Sequence, residues 1–237
     1  MKSKVALVKN IQRLLDAYGV VETAEAGAER MVLLHGATGT GKSTALLHLM
    51  NQTDAIYVEA SPAWTLNSMY RAIVAAIGAD PRGRSADLER YIVEEMGKRS
   101  RPLFVDEIDH ILLPGATSTL RMLEALRSIH DKSRMPIVMV GMDRIEQKIR
   151  LREQLARRVF QWVKFTDLDR DDARTVADTL CDIPIADDWL DAVFAATKGR
   201  ISYISHNIKK ARSRARSNRW SEINLDAWGG NIFVVNK

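Results

Sequence analysis

Gly36-Ala37-Thr38-Gly39-Thr40-Gly41-Lys42-Ser43 fits the pattern G-x-x-x-x-G-K-[ST] at every fixed position. An apolar run, Met31-Val32-Leu33-Leu34, precedes it, and Thr44-Ala45-Leu46-Leu47-His48-Leu49-Met50, a stretch that favours helix, follows. Strand, loop, helix is the order that cradles phosphate. Glycine lets the backbone curl until successive amide N–H groups converge, and the helix behind adds the positive end of its dipole. On this reading Gly36, Ala37, Thr38, Gly39, Thr40, Gly41, Lys42, Ser43 and Thr44 line a nucleotide. Lys42 reaches the β- and γ-phosphates and the Ser43 hydroxyl ligates Mg²⁺.

Outward from the loop, short apolar runs alternate with helical periodicity. Ala55–Val58, Leu103–Asp109, Pro136–Gly141 and Val159–Phe165 read as further strands, the last alternating enough to be an edge. Between them, Pro62 is expected to open a helix carrying Leu66, Met69, Ile73 and Ile77. A second runs from Ser85 to Gly97 with Leu88, Ile92 and Met96 inward, and a third turns Leu120, Leu123, Leu126 and Ile129 to the core. A single charged helix is expected from Asp143 to about Arg158. After Asp167 the pattern is helical near 169–181, 187–198 and 201–218, with a last apolar run at Ile232-Phe233-Val234-Val235. The expected architecture is α/β: a mainly parallel sheet flanked by helices, with a small C-terminal helical lid. The expected division is an N-terminal helical extension over 1–28, a core over 29–167, and the lid with its basic segment over 168–237.

Leu103-Phe104-Val105 stops abruptly at Asp106-Glu107-Ile108-Asp109. Ligands of a parallel sheet sit at the carboxyl ends of its strands, so these carboxylates emerge beside the phosphate loop. Asp106 is assigned to the Mg²⁺ shell and Glu107 to the attacking water, while Asp109 reads as a local cap. No Asn-Lys-x-Asp stretch is present to read guanine, so adenine, hence ATP, is the expected base. Two-motor helicases need more chain than this, and a small-molecule kinase remains the alternative of a different class.

Together the phosphate loop, Leu103–Asp109, the run ending Gly141-Met142-Asp143, the segment Leu155-Ala156-Arg157-Arg158 and the lid's Lys198-Gly199-Arg200 resemble an AAA+ ATPase. Within that superfamily the arrangement is most similar to transposition regulators of the phage Mu B, TniB and TnsC type, over Arg30 to Arg212. The resemblance implies a homo-oligomeric ring or filament on duplex DNA that activates a transposase, with helicase loading or origin binding as the alternative. It implies that Arg157 or Arg158 completes a neighbouring subunit's ATP site, and that Arg200 contacts the γ-phosphate. The chain departs from the family at the end of the fourth strand, where a small polar residue is usual; either Asp143 substitutes or that contact is weak.

Charge sharpens the DNA question. The formal net charge is +5, yet eight Lys or Arg and no acid lie between Ala192 and Ser221, leaving −3 for the remainder. Lys209, Arg212 and Arg216 gather with Arg219 on one face of the final helix, a surface that would attract phosphates. Arg82 and Arg84, and the loop from Leu112 to Ser118, are competing DNA contacts by resemblance. Nothing reads base edges, so binding is expected to be non-specific in sequence. No apolar run is long enough to cross a membrane, and the lone Cys181 has no partner for an internal disulfide. The expected compartment is cytoplasmic.

Overall fold

The computed structural model describes residues 5–25, 27–112 and 117–232. Its elements in chain order are α1 (Lys9–Glu22), β1 (Met31–Gly36), α2 (Lys42–Met50), β2 (Ile56–Glu59), α3 (Leu66–Ile77), α4 (Ser85–Arg99), β3 (Leu103–Asp106) and a 3₁₀ turn (Ile108–His110). They continue with α5 (Thr117–Ser133), β4 (Ile137–Gly141), α6 (Ile145–Arg150), α7 (Glu153–Ala156), β5 (Val159–Phe165), α8 (Arg170–Leu180), α9 (Asp187–Thr197), α10 (Ile201–Asn218) and α11 (Leu225–Trp228). The chain packs as two compact units. One comprises Leu14–Gly36 and Leu46–Lys164; the other comprises the described parts of Met1–Arg13, Ala37–Ala45 and Phe165–Lys237.

In the first unit the sheet runs in the order β2-β3-β4-β1-β5, so β5 is an edge as its alternation predicts. β2–β3, β3–β4 and β4–β1 pair in parallel. The register aligns Glu59 with Asp106 and His35 with Gly141, so the chain leaves β1, β2, β3 and β4 at one common edge. β1 and β4 are buried along their whole length, which is why both read as unbroken apolar runs. α3, α4 and α5 pack on one another and share a core with the strands through Met69, Ile73, Leu88, Ile92, Met96 and Leu126. The second half of α1 joins the same unit, setting Tyr18 edge-on to Phe104 at 6.1 Å between centroids.

Three helical expectations need correction. Pro62 does not open α3; it lies in a turn, and Thr65 caps the helix in a reciprocal box with Ser68. Leu120 does not face the core but is 47% exposed, and Met122 and Ala125 fill the inward face beside Leu123, Leu126 and Ile129. The helix expected over 143–158 is broken into α6 and α7 at Leu151 and Arg152, where Arg152 leaves helical geometry (φ −116°, ψ 81°). The reason is angular. At about 100° per residue a continuous helix would carry Leu155 about 240° past Ile149. Breaking it buries Ile145, Ile149 and Leu155 together and leaves Leu151 86% exposed.

The second unit is helical. α8, α9 and α10 pack around Val176, Leu190, Val193, Ile204, Ile208 and Ala211. A parallel bridge between Ile185 and Ile223 closes it, and Trp189 meets Trp228 edge-on at 5.8 Å. The start of α1 belongs here: the Lys9 amide donates to Asp172 Oδ1 at 2.9 Å and Asn10 Nδ2 donates to the Thr166 carbonyl at 2.7 Å. Of the strand expected at 232–235, residues 233–235 lie outside the described residues, as do 113–116 of the candidate DNA loop.

Candidate functional site

The phosphate loop leaves a β1 whose six residues are all buried, so its starting point is fixed. Gly36, Gly39 and Gly41 take φ values of 155°, 81° and 94°, in the region that favours glycine. The curl is held by the Ala37 carbonyl, which accepts from Thr40 Oγ1 at 2.8 Å and from Lys42 Nζ at 3.1 Å. Ser43 and Thr44 are exposed on the first turn of α2. An ammonium, two exposed hydroxyls and a helix start following a glycine curl make a donor set that fits a polyphosphate with its Mg²⁺.

The lid reaches this loop. Arg200, immediately before α10, donates through Nη1 to the Thr38 carbonyl, and the Ser202 amide donates to the Gly39 carbonyl at 3.3 Å. A Cβ on Gly39 would lie 2.7 Å from Ser202 Oγ, and one on Gly41 would lie 3.4 Å from Ile201 Cγ2. Gly39 therefore serves close approach as well as backbone curl, a role that spacing alone does not reveal, whereas at Gly41 the positive φ is what favours glycine. Arg200 also pairs with Asp167, Nε to Oδ1 at 2.9 Å. No sequence pattern pointed to Asp167.

The carboxylates occupy the other unit, at the strand-exit edge of the sheet. The Asp106 carbonyl accepts from the Ala60 amide at 2.9 Å, and Asp106 Oδ1 accepts from the Glu107 amide at 2.8 Å. Glu107 stands in the left-handed region at φ 52°, an unusual place for a non-glycine residue. Two neighbours were not legible from sequence. Tyr57 on β2 hydrogen-bonds Asp106, and its hydroxyl pKa is pushed up to about 12, first by burial and then by the Asp106 charge. His110 Nδ1 lies 2.9 Å from the Ala60 carbonyl and 3.2 Å from Glu107 Oε2. Both oxygens can only accept, so Nδ1 carries the proton. Asp109 does more than cap locally: its Oδ2 accepts from the Met142 amide at 2.6 Å, tying the 3₁₀ turn to the end of β4. A Cβ on Gly141 would sit 2.7 Å from that oxygen, so the position reads glycine because Asp109 crosses over it. Asp143 lies 3.5 Å from Lys164.

The paired arginines after α7 separate. Arg157 is exposed, its Nη2 3.6 Å from Glu153 on its own helix. Arg158 is engaged within the chain, with Nη1 2.9 Å from Glu29 and Nε 2.9 Å from Asp131, which hold its pKa above the ordinary value. Glu29, His130 and Asp131 bring ligand atoms within 4.8 Å of one another, and the Arg158 guanidinium supplies the cation among them. The basic surfaces are likewise partly spoken for. Arg82 is bidentate to Asp80, Arg212 donates to the Leu180 carbonyl at 2.8 Å, and Arg216 pairs with Asp182 at 2.6 Å; Arg84 and Lys209 are exposed.

Comparison with known proteins places this geometry. Residues 25–149 match the family described as AAA domain. The replication factor C large subunit of Pyrococcus horikoshii is 30% identical over 115 residues, 48% of this chain and 20% of that one. Among solved structures, the Aeropyrum pernix ORC2 protein in ADPNP–ADP complexes superposes with a TM-score of 0.69 at 16% identity, covering 92% of this chain and 63% of that one. The A. pernix ORC1 protein in complex with DNA gives 0.63 at 17% identity, covering 92% and 62%, and Cdc6p from Pyrobaculum aerophilum gives 0.59 at 16%, covering 91% and 63%. The chain thus spans less than two thirds of the length of each of these relatives. The fold is a P-loop AAA+ fold, and because more than half of its length matches, the chain belongs to the AAA domain family.

Proposed function

We propose that this protein is an ATP-hydrolysing, DNA-binding AAA+ ATPase of the origin-binding or loader kind, working as a homo-oligomer. The observation that carries the reading is a phosphate loop of the AAA domain family whose Thr38 carbonyl is gripped by a lid arginine, Arg200. The ADPNP–ADP complexes of ORC2 support an adenine nucleotide, and ORC1 in complex with DNA supports duplex DNA as partner. The ORC, Cdc6 and replication factor C names turn the reading from transposition towards replication, and a transposase draws no support from them.

In this reading Lys42 and the loop amides hold the β- and γ-phosphates, and Ser43 and Asp106 hold Mg²⁺. Bound there, the ion would neutralise charge on the transferring phosphoryl group. Glu107 takes a proton from the attacking water. Arg157, exposed where Arg158 is committed to Glu29 and Asp131, is the arginine offered to a neighbouring subunit. DNA is held by its phosphates, through Lys209 and its neighbours on α10 or through Arg84.

The test is phosphate release from Mg-ATP together with duplex binding read by fluorescence anisotropy. Glu107→Gln should keep nucleotide and DNA binding while slowing turnover about 100- to 1,000-fold. ADP formed only when a small-molecule acceptor is present, with the phosphoryl group recovered on that acceptor and not as inorganic phosphate, would instead support a kinase. Absence of both phosphate release and duplex binding overturns the proposal.

A further inference from the structure

Stretches far apart in sequence meet around one guanidinium in the lid unit. Arg200 donates through Nη1 to the Thr38 carbonyl of the phosphate loop. Its other edge faces Asp167, with Nε 2.9 Å from Oδ1 and Nη2 3.4 Å from Oδ2. Asp167 belongs to no helix or strand; it lies in the link between β5 and α8.

Backbone contacts keep that link in place. The Leu168 amide donates to the Gly199 carbonyl at 2.8 Å, so residues 167–168 and 199–200 run side by side. Gly199 sits at φ 76°, and a Cβ there would collide with the Leu168 carbonyl oxygen. Only glycine permits the approach, and the approach sets Arg200 opposite Asp167. The Ser202 amide bond to Gly39 anchors the next turn of α10 on the same loop.

A guanidinium carries five N–H donors; Nη1 gives one to Thr38 and Nη2 one to Asp167, whose Oδ1 also pairs with Nε at 2.9 Å, so each Nη keeps a second N–H. An arginine free to rotate would have to be ordered by its ligand. One already clamped on two sides spares the ligand that cost, and its planar fork matches phosphate oxygens. The geometry points to Asp167 as a positioning residue that holds Arg200 at the phosphate loop, so that a nucleoside triphosphate is bound in preference to a diphosphate. This inference rests on the nucleotide-binding reading above. In this assignment Asp167 acts through Arg200 and not on the nucleotide itself.

The experiment uses the full chain with Mg²⁺ and competes ADPNP or ADP against a fluorescent ADP analogue. Asp167→Asn should lower ADPNP affinity about tenfold while holding ADP affinity within about twofold. Arg200→Ala should do the same, and the double variant should be no worse than Arg200→Ala alone, the non-additivity of residues acting as one unit. Equal loss of both nucleotides, no loss of either, or additive losses would overturn the assignment. If Asp167→Asn does not fold by circular dichroism, Asp167→Glu carries the test; it keeps the charge one methylene displaced, and an unchanged ADPNP-to-ADP ratio rejects the proposal. Lys42→Ala separates the two readings. Loss of both nucleotides there supports the site, and their retention defeats nucleotide binding at this loop whatever Asp167 does.

Discussion

His35, the residue before the phosphate loop, is buried at 1% exposure with Nε2 3.2 Å from Glu146 Oε2. Burial lowers its pKa from the ordinary 6.5, and Lys164 adds to this while Glu146 and Asp143 oppose it. The imidazole therefore stays neutral in the folded protein at pH values where the unfolded chain takes up a proton. Stability from this group is complete above pH 6.5 and is lost as pH falls from there through the lower folded value. The midpoint of urea unfolding should fall between pH 7.5 and about 5.5, and His35→Gln should flatten that slope. A variant whose midpoint follows the same pH curve as the parent would assign the effect elsewhere. At this scale the motif residues were legible because their chemistry demands those types at fixed spacing. Asp167, Tyr57 and His110 were not, since what marks them is a partner 33, 49 or 50 positions away.

At the scale of elements, caps and breaks set where the helices begin and end. Thr65 and Ser68 satisfy the first turn of α3, and Thr65→Ala should cost about 1 kcal/mol in denaturant unfolding. A value near zero would mean that solvent serves those amides equally well. The break between α6 and α7 precedes the two arginines, one of which is proposed above to serve a neighbouring subunit. Arg158→Ala should destabilise by about 1–3 kcal/mol, since Glu29 and Asp131 lose their counter-ion. Arg157→Ala should leave the melting temperature unchanged and lower the concentration-dependent part of ATP hydrolysis about 1,000-fold. The opposite pattern, stability lost with Arg157 and hydrolysis with Arg158, would reverse the assignment. Sequence left the pair open because neighbouring arginines look alike until their acids are located.

For the whole molecule, salt dependence of duplex binding separates the candidate DNA surfaces. If α10 is the binding face, Lys209→Ala should reduce the slope of log K against log salt by about 0.9, the loss of one phosphate contact. Arg84→Ala should then leave it unchanged; a shift with Arg84 and none with Lys209 moves the site to the turn before α4. Among the described residues no helix is long and apolar enough to cross a membrane, in keeping with the hydropathy of the chain. The sequence by itself determined the strand–loop–helix nucleus, the five strands and the lid helices, because burial on both faces and helical periodicity leave local signatures in composition. Tertiary structure alone decided how Arg158 is spent, why Gly39, Gly141 and Gly199 admit no side chain, and that a carboxylate in a featureless link aims the lid arginine. Those are contacts between positions distant in the chain, and no local pattern encodes which distant group will fill the space.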